Sequence, residues 1–177
     1  MLRNILTFGT IAGLIVGIAL SVVVIGFSGS HLANGMIIGY TIMLVGLSTI
    51  FVAVKRYRDI DLGGVIGFWK ALALGLAISF VASVIYVVAW ESACAITGMD
   101  FANSYAAAMI AQKRAAGVTG AALQQFVDQM NAFKVQYANP FYRWPMTFVE
   151  IFPVGVLVSL ITAALLRNSR FLLARRV

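Results

Sequence analysis

The chain has a single cysteine, Cys94, so it cannot close a disulfide within itself or build a cysteine-based metal cluster. Nothing basic adjoins Cys94 to lower its pKa, and it reads as a small apolar core residue. Histidine is as scarce. His31, in a polar turn at 28–34, is the only one. A metal site would find no second imidazole, so His31 reads as a solvated loop residue, with a ligand or catalytic role as the sharper alternative. Charge is also short: charged residues make up 11% of the chain, where soluble domains carry about 25%. No nucleotide-binding glycine loop, paired metal ligands or nucleophile motif is present. No catalytic residue, cofactor or metal site is therefore expected.

Apolar residues fill the space left. They make up 62% of the chain, more than a water-soluble domain of this length could cover with so few charges. The chain must use lipid as part of its solvent. Four apolar runs are long enough to cross a hydrocarbon core of ~30 Å at about 1.5 Å per residue. They lie at about 5–27, 35–54, 65–91 and 146–166. The first is too long for a signal-peptide core and is followed by further spans. The sequence thus predicts an all-α integral membrane four-helix bundle forming a single membrane domain over residues 1–177.

Small residues repeat every four positions in two spans. Gly9, Gly13, Gly17 and Ser21 share a face of the first, and Gly67, Ala71, Gly75, Ser79 and Ser83 a face of the third. Such ridges let backbones approach closely where lipid removes the hydrophobic drive between helices, and they predict packing of the first span against the third. A glycine-lined substrate path is the functional alternative.

Between spans two and three, a loop at 55–64 carries Lys55, Arg56 and Arg58 against Asp59 and Asp61, and Gly63-Gly64 breaks any continuous helix there. The basic residues read as a topogenic, lipid-facing anchor, or else as a docking site. Lys70 is shallow enough in the third span to snorkel to the headgroups.

Residues 97–144 change character, with Gln, Asn and Ala replacing apolar runs. Two helices are expected at about 100–137, split near 117–120. In the second, Leu123, Phe126, Val127, Met130, Phe133 and Tyr137 share one face and polar residues fill the rest. This amphipathic hairpin is expected to cap the bundle or lie in the interface; binding a partner protein through the apolar stripe is the alternative. Asn139-Pro140 ends the hairpin. Pro145 is placed in the first turn of the last span, and Pro153 is expected to kink it. The tail at 167–177 is basic, with Phe171, Leu172 and Leu173 suggesting a segment on the membrane surface.

Four spans put both termini on one side. That side, with the 55–64 loop, holds nine of the basic residues, and the other side holds Lys113, Arg114, Lys134 and Arg143. The bias assigns the first side to the cytoplasm. Counting acids, the whole net charge of +7 faces inward. Attraction to anionic lipid headgroups accounts for it, and nucleic acid need not be invoked.

Three stretches, GYTIMLVGLSTIFVAVKRYRDIDLGGVIGFWKA, ASVIYVVAWE and ANPFYRWPMTFVEIFPVGVLVSLITAALLRN, resemble in order and spacing the DUF4199 family of small bacterial membrane proteins of unknown function. The resemblance covers nearly the whole chain. The KRYRD-x-x-LGG loop and the MTF-x-E-x-FPVG segment are its most specific parts. It implies a four-pass inner-membrane protein with an extracytoplasmic helical hairpin between spans three and four, and it brings no reaction, substrate or cofactor.

One polar constellation stands out: Glu91 at the end of span three, with Arg143 and Glu150 about the start of span four. It reads as an ion pair fixing two helix ends, or as a proton or cation site built on the two glutamates. Three functions follow as expectations. The first is a non-enzymatic accessory protein binding membrane partners or lipids. The second is a small oligomeric transporter or ion pathway using Glu91 and Glu150. The third, an enzyme acting on lipid, lacks a nucleophile.

Overall fold

The computed structural model describes residues 1–26, 32–98 and 100–172, and His31 lies outside them. In chain order the helices are α1 (Leu2–Gly26), α2 (Leu32–Leu47), α3 (Thr49–Arg56), α4 (Phe68–Thr97), α5 (Phe101–Ala115), α6 (Gly120–Tyr137) and α7 (Pro140–Leu166). A π-helical turn, Tyr57–Asp61, follows α3 directly. There is no strand among the described residues. Four helical stretches are long and apolar enough to cross a bilayer: Leu2–Val23, Ile37–Asp61, Phe68–Ile96 and Pro140–Leu166. The chain is an all-α membrane bundle.

Helix α4 is the axis of the bundle, with α1 packed along one side and α7 along another. The glycine ridge of α1 does meet α4, but not the small ridge of α4. A Cβ at Gly9 would stand 2.6 Å from Val81, at Gly13 2.6 Å from the Ala82 carbonyl, and at Gly17 2.6 Å from Ala89. The α4 ridge faces α7 instead, through a third ridge that periodicity in the first two did not reveal. A Cβ at Gly75 would lie 2.8 Å from Ser159 Cβ, and one at Gly155 2.7 Å from Ser79 Cβ. Each glycine therefore makes room for a serine of the other helix. Ser79 Oγ and Ser159 Oγ are 3.1 Å apart, and each also reaches its own i−4 carbonyl, Gly75 at 2.9 Å and Gly155 at 2.7 Å. Two hydroxyl protons serve three such contacts, so the pair must share them.

Gly67 stands apart from the ridge it was read into. A Cβ placed there would meet nothing within 4 Å, and the residue caps the start of α4 in an extended conformation. Ser21 is buried at the other end of the α1 ridge, with its hydroxyl unpartnered among the described residues.

The second span is interrupted at Ser48. Ser48 Oγ donates to the Val45 carbonyl at 2.6 Å and Thr49 Oγ1 to the Gly46 carbonyl at 2.8 Å. Such back-bonds compete with the i→i−4 ladder and bend it. Beyond the break the helix does not end at Val54, as the charge run suggested. It continues through Lys55 and Arg56 into the π turn, and the chain reverses at Gly63 and Gly64, both at positive φ. Likewise α7 begins at Pro140 rather than beside Pro145. The Asn139 side chain accepts the Phe141 N–H at 3.0 Å, and Pro140 occupies the first helical position. Pro145 and Pro153 both lie inside the helix.

Candidate functional site at the hairpin end

Helices α5 and α6 form the hairpin, and the apolar stripe of α6 lies in part against α5. Phe133 lies 5.6 Å from Tyr105 of α5, and Lys113 Nζ sits 5.3 Å over the Phe126 ring. The face left exposed is the polar one, including Gln124, Gln125, Gln129 and Asn131. The stripe is only partly covered by α5: Leu123, Phe126, Val127, Met130 and Phe133 stay half-buried, and Tyr137 alone is buried.

Aromatic rings seat the hairpin on the bundle. Trp90 meets Phe101 edge-on at 5.2 Å, and Phe101 packs against Tyr105 at 5.7 Å and Tyr137 at 5.5 Å. Trp90 Nε1 donates to the Tyr137 hydroxyl at 3.1 Å. Buried indoles and phenols need such partners. Burial pushes the Tyr137 phenol above its ordinary pKa, and the indole hydrogen bond works against that rise.

Beside this cluster, Glu91 and Arg143 form a two-pronged ion pair joining α4 to α7. Nε donates to Oε1 at 2.5 Å and one terminal nitrogen to Oε2 at 2.6 Å. The other terminal nitrogen donates to the Tyr137 carbonyl at 3.0 Å, and the guanidinium lies 5.6 Å from the Tyr137 ring centre. One arginine thus ties together two membrane helices and the end of the hairpin.

The third member of the expected constellation is elsewhere. Glu150 lies seven residues beyond Arg143, about 10 Å farther along α7 at the helical rise. Its partner is the Tyr86 hydroxyl, which donates at 3.5 Å, the limit of a hydrogen bond. Glu91 and Glu150 do not share a site, because Glu91 is occupied by Arg143.

A cavity of about 520 Å³ opens where the ends of α4, α5, α6 and α7 converge. Its wall includes Glu91, Cys94, Asp100, Phe101, Lys134 and Arg143. Cys94 is half-buried here rather than a core residue. The Asp100 carboxylate caps α5, accepting from the Asn103 backbone N–H at 3.0 Å and from its side-chain amide at 2.5 Å. No ion pair or hydrogen bond engages the Lys134 ammonium among the described residues. No sequence signal joins Lys134 to Asp100, because only the fold brings them, 34 positions apart, to one wall.

At the opposite end the basic residues separate. Arg56 is exposed, Lys55 is half-buried, and Arg58 is fully buried. Arg58 is therefore no lipid-facing anchor. The π turn points it inward, where Nε donates to Asp59 at 2.7 Å and the terminal nitrogens donate to the carbonyls of Phe171 at 3.0 Å and Leu172 at 2.7 Å. Lys55 Nζ holds the second Asp59 oxygen at 2.5 Å. Phe171, expected on the membrane surface, instead packs edge-on against Phe51 at 6.4 Å.

No curated protein and no solved structure matches the chain. A family described as "Protein of unknown function (DUF4199)" matches residues 7–168, most of the chain. The chain belongs to the DUF4199 family.

Proposed function

We infer that this chain is a non-enzymatic accessory protein of a bacterial inner membrane, with both termini cytoplasmic, acting by binding membrane partners or lipids. The observation that carries the reading is the seating of the α5–α6 hairpin. Its apolar stripe is half-buried against α5, Arg143 and Tyr137 tie its base to two spans, and its polar face is exposed to a partner. A polar platform tied to a membrane bundle suits docking better than chemistry. At the basic end, exposed Arg56, Lys70 and Trp69 suit contact with anionic headgroups.

The test is purification in native-membrane nanodiscs, with mass spectrometry of every retained protein and lipid. A stoichiometric second protein, lost when Gln125 and Gln129 are both replaced by Arg, supports docking on the hairpin. A homogeneous homo-oligomer with no partner and no enriched lipid removes the reading. Labelling of single cysteines placed at Arg56 and Gln125, in a Cys94→Ala background, tests the orientation: the second must react from outside intact cells and the first must not.

A second reading, an oligomeric ion pathway, rests now on Glu150 alone. Its carboxylate lies on the exposed surface of a membrane-spanning helix, beside a buried tyrosine hydroxyl. Acids at such depth are uncommon without a task. Proton or cation flux into liposomes that vanishes in Glu150→Gln would favour it, and flux equal to empty liposomes would end it.

A further inference from the structure

We propose that the cavity at the hairpin end binds a zwitterionic amino-phosphate, as the headgroup of an ethanolamine phospholipid or as the free ester. The proposal rests on the hairpin end being a binding region and names its ligand. It is carried by the charge pattern of the wall. Of the two cations there, Arg143 is spent on Glu91, both of whose oxygens it holds. Lys134 is half-buried on the same wall and engages no carboxylate among the described residues. It is a cation available to a phosphate oxygen. Of the two acids, Glu91 is spent in turn. Asp100, exposed at the cavity rim, caps the positive end of α5 and accepts only from the neutral donors of Asn103, so no cation pairs with it among the described residues and its oxygens retain free lone pairs.

One cation and one anion that no ion pair engages among the described residues line the same cavity. A simple anion would leave Asp100 unmatched, and a simple cation would leave Lys134 unmatched. A molecule carrying both charges a few bonds apart answers both. A primary ammonium can donate hydrogen bonds to Asp100, whereas a trimethylammonium cannot.

The cavity is also at the right depth for a lipid. The apolar stretch of α4 long enough to cross a bilayer ends at Ile96 and that of α7 begins at Pro140, and the wall draws on residues to either side of both limits. Ile96 and Phe141, 84% and 83% exposed, stand at this level. A separate shallow apolar groove of about 340 Å³, lined by Phe141, Tyr142, Pro145, Met146 and Val149, runs along the first turns of α7. The cavity volume lies within the roughly 300–1,000 Å³ range of small-molecule sites.

The test uses the delipidated full-length protein, titrated in detergent with phosphatidylethanolamine, phosphatidylglycerol and phosphatidylcholine of matched chains, and with free phosphoethanolamine, and read by native mass spectrometry. Phosphatidylethanolamine should bind about tenfold more tightly than either other lipid. Lys134→Gln should weaken it about tenfold. Asp100→Asn, which keeps an equally good helix cap, should erase the preference over phosphatidylglycerol. Circular dichroism and gel filtration establish that both variants are folded. Free phosphoethanolamine binding as tightly as the lipid supports the zwitterion site and assigns the soluble ester as its source. Equal binding of all three lipids, or binding indifferent to both substitutions, overturns the site. In that case a protein partner still retained in native nanodiscs leaves the accessory reading standing, so the two failures are told apart.

Discussion

Arg58 and Leu172, 114 positions apart in sequence, meet through a 2.7 Å hydrogen bond from a fully buried guanidinium to a backbone carbonyl. Leu172 sits at φ 49°, a conformation that residues with a Cβ rarely adopt, and the bond helps to hold it there. Removing the guanidinium would strand the Phe171 and Leu172 carbonyls and leave Asp59 with Lys55 alone. Breaking a buried charged network by deleting one partner costs about 3–5 kcal/mol. Arg58→Ala should show a loss of that size in reversible detergent unfolding and faster proteolysis after residue 167. Arg58→Lys should lose most of the same stability, because an ammonium cannot fork to two carbonyls and a carboxylate. Exposed Arg56→Gln should stay within about 0.5 kcal/mol of the parent. Equal behaviour of the Arg58 and Arg56 variants would refute the clamp.

The Glu91–Arg143 pair is partly exposed, so its value rests on geometry more than on burial. Hydrogen bonds to charged groups contribute about 1.5–3 kcal/mol. Glu91→Gln and Arg143→Gln should each cost up to that much, and the double variant should cost clearly less than their sum. A coupling of about 0.5–3 kcal/mol is expected for residues in one network. Arg143→Gln should be the worse single change, since it also frees the Tyr137 carbonyl at the base of the hairpin. Strict additivity in a double-mutant cycle would show that the contact contributes nothing.

Much of this architecture is legible in the chain, for identifiable reasons. Four long apolar runs and a Gln- and Asn-rich interval leave little alternative to a membrane bundle with a helical hairpin. The glycine ridge of α1 is legible as a packing face because four-residue spacing has a single geometric meaning on a helix. What the ridge touches is not legible. Val81 and Ala89 carry no mark that distinguishes them from other apolar residues of α4. Charge is where reading in one dimension misleads. Lys55, Arg56 and Arg58 look alike as a run, yet the π turn sends one into the core and leaves another exposed. Glu91 and Glu150 look like a pair because each lies near one end of a span, but seven residues of helix separate Glu150 from the arginine that takes Glu91. Lys134 and Asp100 carry no motif, and their common cavity exists only once four helix ends converge.

The close approach of α4 and α7 gives a test by exchange. At Gly75 a methyl group would collide with Ser159, and at Gly155 with Ser79. Overpacking of this kind costs about 1–3 kcal/mol. Gly75→Ala should therefore destabilise the bundle by about that amount. Adding Ser159→Gly removes the colliding atoms and should restore most of the loss, although the Ser79–Ser159 contact goes with them. Gly67→Ala, with open space around the new methyl group, should cost far less. If Gly75→Ala were silent, or if Ser159→Gly made it worse, the two ridges would not interlock in the way the geometry requires.

Tyr137 supplies a pH dependence whose sign can be worked out. Its phenol is raised above its ordinary value, chiefly by burial. The folded protein thus holds the phenolic proton more tightly than the unfolded chain, whose tyrosines titrate at about 10. The associated stability is present in full below that pH and is lost as pH rises through the folded-state value. Unfolding midpoints should be flat across neutral pH and fall on the alkaline side. Tyr137→Phe should flatten part of that alkaline fall. It should also cost about 1–3 kcal/mol at neutral pH, because the Trp90 indole N–H loses its acceptor in a buried site. Trp90 fluorescence, followed against pH in both proteins with Trp69 and Trp144 replaced by Phe, reads the same event locally. An alkaline limb identical in the two proteins would mean that the Tyr137 proton is not linked to folding, and that the hairpin is held by the Arg143 contacts and ring packing alone.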